Sequence, residues 1–388
     1  MINLEDVCEF IVDCPHSTAK DEGEGFPLIR TPNIGKGRLL LDGVHRVSED
    51  VYNKRNARAV PQDDDLIFAR EAPAGNVAIV KNGEKVCLGQ RTVLLRLNKE
   101  LVNPDFLTYF LLAPEQQYGL LGTANGATVS HVNIPTIRGL KINLPPLQVQ
   151  SRIASILSAY DDLVENNQKQ IKLLEEAAQR LYKEWFIDLR FPGHETTPIV
   201  DGVPEGWKEQ SLYQIADVVM GQSPKSEYYN QVGEGLPFHQ GVGSYGNRFV
   251  SDETYSTSFT RIAEAGSILF SVRAPVGRLN LTKNKVVIGR GLAAINHRRG
   301  AQSYLFYLLK EKFFRDDIIG NGSIFASISK EELLNQTFLI PIDSLVEQFN
   351  GIAGGIDKKI DILSEQIRLL TEARNRLLPK LMSGELEV

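Results

Sequence analysis

The sequence predicts an α+β protein: two mixed α/β domains separated by a coiled coil of two long helices, the whole forming an internal repeat. Three observations predict it. First, Leu157, Tyr160, Val164, Asn167, Ile171, Leu174, Ala178, Leu181 and Trp185 keep an alternating three-four spacing over four heptads. That is the seam of a helix packing along another helix, and only Asn167 breaks it. Second, adding 196 to each position gives Ala353, Ile356, Ile360, Leu363, Ile367, Leu370, Arg374, Leu377 and Leu381, a seam broken only at Arg374. Third, Ile171-Lys-Leu-Leu aligns with Ile367-Arg-Leu-Leu, and each helix follows a Pro-marked segment, Leu144-Pro-Pro-Leu147 or Ile340-Pro-Ile342.

The expected boundaries are a domain over 1–146, a long helix over 147–190, a second domain over 191–340 and a second long helix over 341–388. In the first domain, Leu4–Val12 reads as a short strand or helix. Gly-, Pro- and Asp-rich loops then carry short strands through residue 65. Asp65–Arg70, Val77–Val80 and Thr92–Leu97 read as strands. Pro104–Ala113 reads as a helix with proline in its first turn. Asn125-Gly126 is a tight turn, and Ile137–Leu144 is a final strand. The second domain repeats the order. Ser267–Arg273 matches the strand ending at Arg70, Ala274-Pro-Val-Gly277 matches Ala72-Pro-Ala-Gly75, Ile288-Gly-Arg-Gly291 matches Leu88-Gly-Gln-Arg91, and Asn321-Gly322 matches Asn125-Gly126. Phe191–Trp207 has the composition of a linker, and Ser344-Leu-Val-Glu347 has capping-box spacing.

The chain has 388 residues, 42% hydrophobic and 23% charged, which allows two or three globular domains with ample core. No uncharged apolar run approaches membrane-spanning length, and the start lacks a signal sequence, so a cytoplasmic protein without a membrane role is expected. Cys8, Cys14 and Cys87 read as free thiols. The net charge of −5 hides two basic stretches. Residues 30–99 carry 13 Lys+Arg against 8 Asp+Glu, and residues 225–299 carry 10 against 5. Basic segments at matching places in two repeats suit a two-site binder of a polyanion.

No catalytic or metal constellation emerges. Gly241-Val-Gly-Ser-Tyr-Gly246 fits a dinucleotide fingerprint, but no helix follows it to face a pyrophosphate. A P-loop is absent. Asp63-Asp-Asp65 with Glu71 lacks the lysine of a metal-dependent nuclease, and His131 and His239 have no sequence-visible partners. What remains is polar and basic residues in loops beside aromatics. Arg, Asn and Gln read base edges bidentately, while Lys and Arg neutralise phosphates. The candidates are Arg30, Asn33, Lys36, Arg38, Arg70 and Arg91 in the first domain. In the second they are Lys225, Tyr228, Tyr229, His239, Gln240, Tyr245, Asn247, Arg248, Arg273 and Arg290. Arg70, Arg91, Arg273 and Arg290 stand out as expected equivalents between the repeats. Trp185 and Phe186 end the first helix as adjacent bulky residues, of which a seam can bury only one face. They are the expected subunit-docking anchors.

Several stretches together carry a resemblance: Leu144-Pro-Pro-Leu147 with Gln150, Leu181-Tyr-Lys-Glu-Trp-Phe186, Pro204-Glu-Gly-Trp-Lys208 and Arg376-Leu-Leu-Pro-Lys-Leu-Met-Ser-Gly384. In this order, over a chain duplicated end to end, they resemble the specificity subunit of Type I restriction-modification enzymes. The resemblance implies two target recognition domains held apart by an antiparallel helix pair. Each domain binds half of a split sequence in double-stranded DNA. The helices dock two methyltransferase subunits and, through them, restriction and translocase subunits. It also implies a non-catalytic chain, with S-adenosylmethionine, ATP and magnesium bound by the partner subunits. A self-contained methyltransferase or nuclease, or a scaffold without a DNA role, are the rival expectations.

Overall fold

A computed structural model describes residues 1–122, 131–313 and 327–388. The expected turns at Asn125-Gly126 and Asn321-Gly322 lie outside the described residues. The chain forms two compact units, Met1–Gln168 with Glu365–Val388, and Lys169–Ser364.

In the first unit a five-stranded sheet runs in the order Cys8–Asp13, Thr92–Leu97, Leu66–Ala69, Val77–Ile79 and Gly37–Arg38. All neighbours are antiparallel except the last pair. The run Leu66-Ile-Phe-Ala69 is wholly buried because both faces of its sheet are covered. Leu66 and Phe68 join one core, which includes Phe106 and Leu107 of the helix Pro104–Leu112. Ile67 and Ala69, pointing the other way, join a second core with Ile29 and Leu88. The Pro104–Leu112 helix starts where expected. Asn103 caps it by accepting from the Phe106 amide at 3.0 Å, and Pro104 fills a position that needs no donor. A second sheet pairs Phe26–Ile29 antiparallel with Arg46–Val47 and parallel with Cys87–Leu88.

The second unit repeats this topology. Its sheet runs Ala216–Met220, Leu292–His297, Ile268–Ser271 and Leu279–Leu281. Phe249 bridges parallel to Leu281, where Gly37–Arg38 completes the other sheet. Ile268 and Phe270 face one core and Leu269 the other. Leu236–His239 again lies parallel to Val286–Ile288.

The long helices are Leu147–Phe186, 40 residues, and Asp343–Ser383, 41 residues. Leu157, Asn167, Ala178 and Trp185 are buried, and Tyr160, Val164, Ile171, Leu174 and Leu181 half-buried. Ala353, Ile360, Leu363 and Leu381 are buried, and Ile356, Ile367, Leu370, Arg374 and Leu377 half-buried. No seam position is exposed. Within the first unit the helix segments run antiparallel: Asp161 meets Arg374 at 2.6 Å and, further along, Asn167 donates to Gln366 at 3.2 Å. Both polar seam breaks are therefore satisfied, and Asp161 also accepts from the Tyr109 hydroxyl at 2.7 Å. Within the second unit, Phe349 takes the rings of Tyr182, Trp185 and Phe186 at centroid distances of 5.6, 6.0 and 5.2 Å.

A side-chain amide near the start of each long helix, buried at Gln150 and half-buried at Asn350, anchors its domain. Gln150 Oε1 accepts from the Asn103 amide at 2.9 Å, and its Nε2 donates to the carbonyls of Leu101 and Pro145. Asn350 Oδ1 accepts from the amides of Ser303 and Tyr304. Both receive orphan amides at the N-terminal end of a domain helix.

Three local expectations are corrected. The stretch 137–144 is not one strand. Pro135 fits the first turn of a short helix, Ile134–Arg138, and only Lys141–Ile142 pairs, with Ile2–Asn3. Ser344 does not cap its helix, which begins at Asp343, so Ser344 sits inside the first turn. The linker-like Phe191–Trp207 is tied down, since Phe191 and Trp207 are buried and Ile199–Val200 forms a hairpin with Val203–Pro204.

Candidate nucleic-acid interface

The sheet itself gathers the polar side chains. In the first unit Asp13 ends one strand, Arg70 follows a second and Arg91 precedes a third. The register of Asp13 with Val93, and of Ala69 with Thr92, brings all three to one sheet end. There a continuous network forms. Arg70 Nη1 meets Asp13 Oδ1 at 3.2 Å, and His16 Nε2 meets Asp13 Oδ2 at 3.1 Å. Arg70 Nη2 lies 3.0 Å from His131 Nε2, and His131 Nδ1 lies 2.7 Å from Glu71. An arginine only donates, so Nε2 of His131 accepts and its Nδ1–H donates to Glu71. Glu71 then holds Arg91 at 2.9 Å. Arg91 is 55% exposed, whereas Arg70 is largely covered at 13%. Arg91 thus faces outward, and Arg70 braces the network from within.

Beside this network, Arg30 and Gln90 leave the ends of two neighbouring parallel strands. The Gly89 amide donates to the Ile29 carbonyl at 2.7 Å, and a Cβ on Gly89 would stand 3.0 Å from the Arg30 Cα. Only glycine permits that approach. Gln90 Oε1 accepts from the Thr18 hydroxyl at 3.1 Å. The Arg30 Nε is buried and has no hydrogen-bond partner.

The second unit builds the same corner. The Gly289 amide donates to the His239 carbonyl at 2.8 Å, and a Cβ on Gly289 would stand 3.0 Å from the Gln240 Cα. Ser223 Oγ accepts from the Arg290 amide at 3.2 Å. Lys225, Tyr229, Gln240 and Arg290 come together around a cleft of about 790 Å³. Lys225, Gln240 and Arg290 are exposed. The Tyr229 ring stacks on Phe238 at 4.7 Å, and its hydroxyl donates to the Pro224 carbonyl. Desolvation raises the Tyr229 pKa above its ordinary value, so the phenol stays neutral.

Backbone equivalences correct the pairing of the four repeat arginines by one residue. The Arg70 amide donates to the Arg91 carbonyl and the Val132 amide to the Arg70 carbonyl. In the second unit Val272 bonds Gly291 and Ile328 bonds Val272 in the same way. Arg70 therefore matches Val272, Glu71 matches Arg273, Arg91 matches Gly291, and Gln90 matches Arg290. A one-residue slip next to a strand moves a side chain to the opposite face. This is why Arg273 is exposed while Arg70 is covered.

Other candidates prove structural. Asn33 is buried, accepting from the Arg30 amide and donating to the Leu40 carbonyl. Arg38 is tied to Asp162 and Glu165 on the long helix. His239 is buried between Ser244 and Asp252, whose carboxyl is held below its usual range by hydrogen bonds from His239 and then Asn284. The Tyr245 hydroxyl donates to the Leu269 carbonyl at 2.8 Å, and burial pushes its pKa up. Arg248 is buried, ion-paired with Asp357, with its guanidinium 3.7 Å from the Phe306 ring centroid. Asn33, His239 and Arg248 are therefore buried with partners, whereas Arg38 is ion-paired but part-exposed. Asn247 lines a separate cleft of about 410 Å³ with Arg248 and Asn280. Lys36, Tyr228 and Arg273 are exposed. The docking expectation for Trp185 and Phe186 is also corrected. Each is 8% exposed and lies in one aromatic core with Tyr182, Trp207, Tyr304 and Phe349, so neither presents a face to a partner.

Sequence reasoning missed Gln90, Ser223 and the Asp13–His16–Glu71–His131 network. The matched glycines, Gly89 and Gly289, could have located Gln90. Nothing local marks Asp13. Among the described residues, no cluster of His, Cys, Asp and Glu could hold a metal ion, and no helix is long and apolar enough to cross a membrane.

The Type I restriction modification DNA specificity domain family matches the chain twice, over residues 1–176 and 204–375. A Methanocaldococcus jannaschii protein named as the MjaX specificity subunit of a type I restriction enzyme is 31% identical over 99% of this chain and 93% of its own length. The MjaIX specificity subunit from the same organism is 26% identical over 89% and 83%. The crystal structure of a Type I restriction-modification S subunit from M. genitalium shares the fold, with a TM-score of 0.61 at 16% identity, covering 98% of this chain and 94% of that one. The chain belongs to the Type I restriction modification DNA specificity family.

Proposed function

We propose that this member of the specificity family is the DNA-recognition subunit of a Type I restriction-modification complex. Each unit binds one half of a bipartite target in double-stranded DNA. The long helices form one antiparallel coiled coil that sets the spacer and docks two methyltransferase subunits, through which restriction and translocase subunits join. The chain itself performs no chemistry. S-adenosylmethionine, ATP and magnesium come with the partner subunits, in the cytoplasm.

The observation that carries the proposal is the repeated corner. One topology, used twice, brings arginine and glutamine to the same sheet end, beside Arg91 in one unit and Lys225 in the other. Cations neutralise phosphates, and planar bidentate groups distinguish bases, so this corner suits a duplex groove. The test is methylome sequencing of a host carrying the chain with its methyltransferase subunit, together with salt-titrated DNA binding by the purified complex. A split motif with an unread spacer, bound with a steep salt dependence, is expected. A contiguous motif, or binding indifferent to sequence, would refute the proposal.

A further inference from the structure

We infer that the two units read DNA through one equivalent pair of positions whose side chains are exchanged: Arg30 and Gln90 in the first unit, Gln240 and Arg290 in the second. The inference rests on the DNA-recognition role proposed above and goes beyond it by assigning the reading residues and the base class each prefers.

The equivalence is a backbone fact. In both units two parallel strands lie side by side, with Ile29 opposite Leu88 and His239 opposite Ile288. The next residue of the first strand is Arg30 or Gln240. Beyond the second strand a glycine turns the chain, and the residue after it is Gln90 or Arg290. The glycine closes each corner with the same bond and the same 3.0 Å approach to the Cα of residue 30 or 240. Adjacent strands are roughly 4.8 Å apart against a base-pair rise of about 3.4 Å, a difference of about 1.4 Å that long side chains can take up. Side chains leaving neighbouring strand ends can therefore address neighbouring base pairs.

The chemistry is selective. An arginine fork matches O6 and N7 of guanine, and a glutamine amide matches N6 and N7 of adenine. The second unit leaves those groups available. Gln240 and Arg290 are exposed and share one cleft. In the first unit Arg30 and Gln90 are half-buried; Gln90 Oε1 accepts from the Thr18 hydroxyl and its Nε2 donates to the His16 carbonyl at 3.5 Å, exposed contacts that a base edge would replace. Each unit therefore carries one guanine reader and one adenine reader, in opposite order.

The test exchanges the pair in one unit only, Gln240→Arg with Arg290→Gln, in the full chain complexed with its methyltransferase subunits. The readouts are methylome sequencing and binding to a randomised-target library. One half-site is expected to trade an A·T preference for G·C at one position and the reverse at its neighbour, with the other half-site unchanged. Each single variant should relax one position, lowering discrimination about 5- to 150-fold. Arg290→Lys keeps the charge but loses the fork. It serves if the double variant fails to assemble, and relaxed discrimination at one position then upholds the inference. An unchanged motif, or binding weakened equally for all sequences with a shallower salt slope, overturns the inference and leaves the bipartite role standing. A wild-type complex with no split motif would overturn the role itself.

Discussion

Replacing Phe186 by alanine separates packing from docking. The ring is 8% exposed, and its centroid lies 5.0 to 6.0 Å from those of Tyr182, Trp185, Trp207, Tyr304 and Phe349. Truncating a buried phenylalanine costs about 3–5 kcal/mol, because the lost transfer energy adds to that of the cavity left behind. Five aromatic neighbours place this site in the upper part of that range. For a unit of roughly 200 residues, each kcal/mol lowers Tm by about 2–4 °C, so a loss of about 4–5 kcal/mol is a drop of about 8–20 °C. The assay is thermal unfolding of the full chain by near-ultraviolet circular dichroism, with assembly onto methyltransferase subunits measured at 10 °C, where the variant is still folded. Unfolding of Lys169–Ser364 should move to lower temperature while assembly persists. A variant with unchanged Tm that fails to assemble would refute the reasoning and restore Phe186 as a docking anchor.

Inserting one heptad in each long helix, near Ile171 and Ile367, preserves the seam spacing and lengthens each helix by about 10.5 Å, close to three base-pair rises. Methylome sequencing should then show the same half-sites with a longer spacer and weaker binding, since three base pairs also rotate the duplex by roughly 100°; an active insertion variant with the original spacer would show that the helices do not set it. Arg248→Met leaves Asp357 part-buried without its cation and should cost about 3–5 kcal/mol in thermal unfolding, with most of the loss recovered in Arg248→Met/Asp357→Leu; an unaffected single variant would remove the ion pair from the account. Burial pushes the Cys8 thiol up to about 12 and Cys87 to about 11. Both are raised above the ordinary value of 9.0, so their contribution to stability is complete below pH 9 and is lost as pH rises through 11 to 12. Neither thiol should be alkylated in the folded chain at pH 8, which mass spectrometry after iodoacetamide treatment checks.

The seam was legible because three-four periodicity survives without knowledge of the partner, and even its polar breaks lay in the right place. The strands Leu66–Ala69 and Ile268–Ser271 were legible as apolar runs bounded by turn residues. Charge and residue type did not separate readers from braces. Arg248 and Gln240 look equally suitable in sequence, but only the fold brings Asp357 to the former. The one-residue error among the arginines has a similar origin. Matching Arg70 with Arg273 by charge ignores strand parity, whereas the Ala-Pro-x-Gly turns already align Glu71 with Arg273. Trp185 and Phe186 were misjudged because a seam buries one face, and the second face is covered by Trp207 and Tyr304, which lie beyond the helix in sequence.

The polar pairs inside the first unit give the coiled coil a zero mark. An apolar heptad seam is nearly degenerate: sliding one helix by seven residues buries much the same surface. Here such a slide would strand Arg374 away from Asp161 and Asn167 away from Gln366. Both partners of the ion pair are part-buried, so a slide would leave two partly desolvated charges without partners, which disfavours slipped states. A gauge is only as good as its fixed end. By suppressing slippage, these two contacts fix the register of the two helix segments within the first unit.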